Sequence, residues 1–218
     1  MRLLPALFLL AACTGPAEPP AVTYPLRGTV EAVPSATRVV IEHEAIEGYM
    51  GAMTMPFTVE EGTAVAPGDV VEGTLRVDGS SSLLVDVKVV GHAEVEPLQA
   101  GASLQAGQRL PDTAVALAHG GTRQLGAQQT GPLALTFVYT TCPMPEYCPA
   151  ITAQLQRLQP LIEPGAATLL AITLDHATDT PEVLRAYGEK ASADPAIWQF
   201  GRVSDAELAA LARAAGMH

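Results

Sequence analysis

The stretch YMGAMTMPF, residues 49–57, holds three of the chain's six methionines. In an extended segment side chains alternate, so Met53 and Met55 share one face while Thr54 and Pro56 take the other. The same rule puts Val39, Ile41 and His43 on one face of the preceding apolar run. A turn between the two runs would bring His43 opposite the two sulfurs. Thioether sulfur is soft, uncharged and free of protons near neutral pH. It selects soft ions such as Cu(I) or Ag(I), and a nearby imidazole completes a site of low coordination number. Zinc prefers thiolate, imidazole or carboxylate, so this donor set argues against it. Methionines that simply fill gaps in a small core are the alternative. Their density and pairing beside a histidine favour metal.

The second candidate lies in FVYTTCPMPEYCPAIT, residues 137–152, where an apolar strand runs into a helix. Unpaired backbone N–H groups at such a junction favour an anion, so Cys142 and Cys148 tend toward thiolate, the form that binds metal or attacks disulfides. Pro149 as first helical residue would make Cys148 the N-cap. A structural disulfide is the alternative reading.

The chain begins MRLLPALFLLAAC, with one basic residue, a short apolar core and then Leu10-Ala11-Ala12-Cys13. This has the form of a secretory signal, and its end resembles the bacterial lipobox, whose cysteine is lipidated. The expectation is a signal peptide over 1–12, lipidation at Cys13 and a Pro/Gly/Ala tether over 13–23. A plain cleaved signal with an incidental cysteine is the other possibility. A lipid anchor would hold the chain to a membrane on the periplasmic side of the envelope, where thiols oxidise unless protected. With Cys13 so assigned, the remaining two of three cysteines form a disulfide, a metal site or a redox pair. A net charge of -11 and a pI of about 4.8 argue against nucleic acid as a partner.

The elements that must position these residues change character along the chain. Over 24–91 the runs LRGTVEAV, TRVVIEH, AMTMPFTVE, DVVEGTLRV and SLLVDVKVV are short, rich in Val and Thr, and separated by turn signals, with Asp78-Gly79 as a hairpin turn. Five such strands predict a small closed β-barrel of the OB type. Residues 92–108 read as a linker. Over 109–218 the period changes. PLALTFVY (132–139) and ATLLAITL (167–174) are apolar runs expected of parallel strands buried on both faces. A helix is expected from Pro149, with Ile151, Leu155, Leu158 and Ile162 on one stripe. Thr180-Pro181 opens a second, and the capping box Ser204 to Glu207 opens a third that stops at Gly216. The βαβα order with a cysteine motif after the first buried strand is the front half of a thioredoxin-like fold. The fold class is thus α+β in two domains.

HEAIEGYMGAMTMPF, residues 43–57, is similar to the metal-binding stretch of CusF-like periplasmic copper-binding domains. The resemblance implies Cu(I) held by His43, Met53 and Met55. Where the family prototype covers its metal with a tryptophan this chain has Met50, so a third sulfur is expected to replace the aromatic face. The later segments LPDTAVAL, GGTRQL, FVYTTCP with YCP, LLAITLD and DTPEVLRAYGEK resemble the Sco/SenC family of thioredoxin-like copper chaperones. That resemblance implies Cys142 and Cys148 as ligands of Cu(I) or Cu(II), with a cytochrome oxidase subunit as the copper-receiving membrane partner. Two departures stand out. Five residues separate the cysteines where the family usually has three. The sequence also ends before the strand hairpin, closing helix and histidine ligand that the family carries, so the second domain is expected to be incomplete and its sheet to keep an open edge. His176 is a candidate for the third ligand, with a plain surface-loop histidine as the alternative, and His218 at the terminus is a further one.

The leading expectation is therefore an envelope metallochaperone serving cytochrome oxidase copper-centre assembly or copper homeostasis. A thiol–disulfide oxidoreductase, with Cys142 and Cys148 catalytic, is the alternative. A chain in which only the barrel still works is the third. Glu146 and Asp179 read as solvated surface, and His92 and His119 have no assignable role.

Overall fold

The computed structural model describes residues 21–79, 81–95 and 103–217. The signal segment, Cys13, all but the last residues of the tether, much of the linker and His218 lie outside the described residues.

Five strands form the first sheet: β1 (Val22–Ser35), β2 (Arg38–His43), β3 (Met53–Thr58), β4 (Asp69–Val77) and β5 (Ser82–His92). They pair antiparallel in the order β3-β2-β1-β4-β5. Alternation sends Leu26, Val30, Val39, Ile41, Phe57, Val71, Leu75 and Leu84 into one core. The Asp78-Gly79 turn joins β4 to β5, with the Asp78 N–H donating to the Ser81 carbonyl at 3.0 Å. The sheet curls but its ladder does not close. Among the described residues its two edges meet at one bridge, between Val59, just after β3, and Leu84 of β5. Gly28 sits opposite His43 in the β1–β2 ladder. A Cβ at Gly28 would lie 2.5 Å from the Glu42 carbonyl oxygen and 2.8 Å from His43 Cα, so only glycine lets these strands approach so closely at the His43 end of β2.

The second sheet contains β6 (Ala114–Leu117), β7 (Thr122–Gln124), β8 (Leu133–Val138), β9 (Thr168–Thr173) and β10 (Trp198–Arg202), in the order β7-β6-β10-β9-β8. β8, β9 and β10 run parallel, and β6 is antiparallel to β10. Three helices accompany it: α1 (Cys148–Leu158), α2 (Pro181–Lys190) and α3 (Asp205–Ala214). On one face Leu169, Ala171, Trp198 and Phe200 pack with Leu155 of α1 and Leu184 of α2. On the other, Leu170 and Ile172 pack with Leu211 of α3. This is the layered arrangement of a thioredoxin-like α/β domain.

The caps behave as the sequence predicts. Thr180 Oγ1 accepts from the Val183 N–H at 3.3 Å, and the Ser204–Glu207 box is complete. Gly216 takes φ +76° just past α3. Other expectations need adjustment. Only β9 is buried on both faces, because β8 is the sheet's edge strand and leaves Ala134 exposed. α1 begins one residue earlier than predicted, with Tyr147 as N-cap and Cys148 as its first residue. β10 occupies the middle of the sheet although the sequence gives it no periodic signal. No helix among the described residues is long and apolar enough to cross a membrane.

Candidate metal centre

His43 ends β2 and faces Met53, the first residue of β3. Ile41 faces Met55, and Val39 faces Phe57. Directly opposed residues in an antiparallel ladder bring their Cβ atoms to about 5 Å, so the imidazole and the first thioether are cross-strand neighbours on the core side. His43 is 2 % exposed, and its ring stands edge-on to Phe57 with centroids 5.4 Å apart. Nδ1 lies 2.7 Å from the Glu44 carbonyl oxygen, which fixes the ring proton on that nitrogen. Nε2 therefore carries a lone pair, and it is buried with no hydrogen-bond partner. Burial holds the His43 pKa below its ordinary value, so the ring is neutral at pH 7. An unpartnered acceptor inside a core is costly unless something occupies it.

Met53 and Met55 are half-buried against the same core, and Met50 is buried in the preceding turn, where the Ile46 N–H donates to its carbonyl. Among the described residues no cluster of three or more His, Cys, Asp or Glu could hold a metal ion. The donors gathered here are soft ones.

The cysteines are free thiols, Cys148 buried and Cys142 half-buried. The Tyr139 N–H donates to Cys148 Sγ at 3.3 Å. The Cys148 thiol donates to Cys142 sulfur, and this bond draws the Cys142 pKa down to about 6 against the opposing effect of burial. The same bond, together with burial, pushes Cys148 up. The pair thus favours the thiolate at Cys142 and the proton on Cys148. Alkylation by iodoacetamide at rising pH should therefore show Cys142 reacting with a midpoint near 6 and falling silent below it, while Cys148 stays unmodified; peptide mass spectrometry reads both sites.

The segment between the cysteines lies on the first sheet. Met144 is fully buried and belongs to the same apolar cluster as Met50, Ile41 and Phe57, against which Cys142 and Tyr147 also pack. Tyr49, stacked on Tyr24 at 4.4 Å, donates its hydroxyl toward Met144 Sδ and the Pro143 carbonyl, each at 3.3 Å. Tyr147 donates its hydroxyl to the Pro56 carbonyl of β3 at 2.8 Å and accepts from Arg38 at 3.0 Å. Ser82 of β5 donates to the Glu146 carboxylate. The loop thus touches both edges of the unclosed sheet and covers its seam. Only the long spacing between the cysteines signals this in the sequence.

Two acids differ from their sequence reading. Glu146 is half-buried at the seam, with Oε2 buried and unpartnered. Asp179 is fully buried, because both hydroxyls of Thr140 and Thr173 and the Thr140 N–H donate to its carboxylate, tying the end of β8 to the start of α2. His176 sits on the loop after β9. Its Nδ1 is 2.8 Å from Asp205 Oδ1, its carbonyl accepts from Arg202, and its Nε2 is buried without a partner.

Residues 116–213 match the SCO1/SenC family model, and residues 23–89 match that of the copper binding periplasmic protein CusF. The chain joins a CusF-type domain to a SCO1/SenC-type domain. Similar solved structures fall on one domain or the other. An Aquifex aeolicus VF5 protein described as a candidate electron transfer protein is 25 % identical, with 52 % of this chain and 74 % of that one covered and a TM-score of 0.46. Apo-CusF from Escherichia coli is 24 % identical over 37 % of this chain and all of its own, with a TM-score of 0.31. Copper-bound ScoI from Bradyrhizobium japonicum is 20 % identical over 49 % and 66 %, with a TM-score of 0.41. No curated protein matches the chain. Copper binding is the role that the two family matches support together. The seam loop is the part of the SCO1/SenC-type domain that rests on the CusF-type domain.

Proposed function

We propose that the chain is an envelope metallochaperone that holds Cu(I) at His43, Met53 and Met55, beside Met50, and copper as Cu(I) or Cu(II) at Cys142 and Cys148. Its receiving partner would be a membrane protein such as a cytochrome oxidase subunit, with Cys13 as the lipid anchor. The observation that carries this reading is the buried, unpartnered Nε2 of His43, a residue paired across the ladder with Met53. A neutral imidazole and neutral thioethers bind a monovalent ion without releasing protons. Their softness rejects hard divalent ions. At the second site the Cys142 thiolate is available at pH 7, whereas Cys148 must give up its proton as the metal enters, so copper there is coupled to pH.

Anaerobic Cu(I) titration tests this reading. The parent should take up about two equivalents, and Met53→Leu/Met55→Leu and Cys142→Ser/Cys148→Ser should each lose about one. Uptake unchanged in the methionine variant would overturn it.

The reactive Cys142 beside a buried, protonated Cys148 also supports a second reading, thiol–disulfide exchange on a protein dithiol or disulfide. In that case copper uptake would be indifferent to the cysteine variant, and a partner disulfide would be reduced as the Cys142–Cys148 disulfide forms.

A further inference from the structure

Met144 belongs to the SCO1/SenC-type domain in sequence and to the CusF-type domain in space. It is the second residue after Cys142, yet its side chain has no exposed surface and lies in the cluster with Met50, Met53 and Met55. A methionine serving only its own domain would be expected to pack beneath α1 or α2, whose cluster does not contain it. Tyr49, next to Met50 in the chain, points its hydroxyl at Met144 Sδ from 3.3 Å. The seam contacts of Glu146 and Tyr147 hold the loop in place on either side of the opening. One cluster therefore contains four thioethers and, at its margin, the Cys142 sulfur, all of them soft donors.

We infer that Met144 is a further ligand of the barrel's soft-metal site, so that this site is built from both domains and reaches toward the dithiol through one residue of the loop. The inference rests on the reading of His43, Met53 and Met55 as a Cu(I) site. A thioether suits the position because it is neutral: it can bind or leave the ion with no proton exchange, and Tyr49 can hold the sulfur in the empty state. Copper bound by Met144 would lie on the loop that carries Cys142. Ligand exchange along successive sulfurs could then move it without release to water.

The test uses the full chain with methyl-13C methionine and Ag(I) as a redox-inert probe, titrated into the Cys142→Ser/Cys148→Ser variant to silence the thiolates. The Met144 methyl resonance, assigned by its loss in Met144→Leu, should shift in step with those of Met53 and Met55 over the first equivalent. In Met144→Leu, whose side chain keeps nearly the same volume, Ag(I) affinity should fall about tenfold or more. If Met53 and Met55 shift and Met144 does not, the inference fails and the barrel site stands alone. If none of the three shifts, both the inference and the Cu(I) reading fail. Far-ultraviolet circular dichroism of Met144→Leu confirms that the fold is kept.

Discussion

Replacing His43 by leucine should make the metal-free chain more stable and at the same time remove most of its affinity for Cu(I). The imidazole is buried, and only one of its nitrogens has a partner. Leucine fills a similar volume beside Phe57 and leaves no orphaned acceptor in the core. The Glu44 carbonyl it releases belongs to an exposed residue, where water can replace the lost bond. Removing a buried unsatisfied acceptor is worth about 1–2 kcal/mol, so the urea midpoint of the apo chain should rise. Affinity for Cu(I), read by competition with a chromophoric chelator, should fall by about 100-fold or more, since even outer residues of metal sites matter at the 10–100-fold level. The two signs together separate ligation from packing. A histidine that merely fills space would lose stability on substitution and leave copper binding unchanged.

The largest purely structural effect is expected at Asp179. Its carboxylate accepts from the Thr140 N–H and from the hydroxyls of Thr140 and Thr173, and Thr173 itself is fully buried. Asp179→Ala removes the shared acceptor of the fully buried Thr173 hydroxyl and of the two half-buried Thr140 donors. It should cost about 2–4 kcal/mol, whereas Glu60→Ala on the surface should change stability by less than ~0.5 kcal/mol. The chain's one tryptophan, Trp198, is buried in the SCO1/SenC-type domain, so its fluorescence during urea unfolding reports this domain directly. Because Thr140 lies two residues before Cys142, the variant should also loosen the loop and bring Cys142 reactivity closer to that of an ordinary thiol.

What the sequence reveals is local, and what it hides depends on the partner across the fold. The alternation that pairs His43 with Met53 can be read from two short runs, because strand geometry leaves no other face for them. Thr180 and Ser204 declare their helices through side chains that satisfy backbone N–H groups only a few residues away. Met144, Glu146 and Asp179 carry no such signal. Glu146 and Asp179 have the type of surface residues but are drawn inward by partners elsewhere in the fold, and Met144 is buried against the other domain. β10 is hidden for a related reason: a run of five residues, Trp198–Arg202, is too short to establish a period. The five residues between the cysteines were legible as an anomaly. Their purpose, covering the seam, needed the second domain in place.

That covering has a consequence for how the two modules can exist apart. Expressed without its neighbour, the CusF-type unit would expose an unzipped flank along β3 and β5, and the SCO1/SenC-type unit would push the greasy side chains of Met144 and Tyr147 into water. Each half would be stickier alone than joined, and mixing the separate halves should let them find one another. The length of the spacer between the cysteines is in this sense the fingerprint of a tethered pair, a trait that shortening would erase from both partners at once.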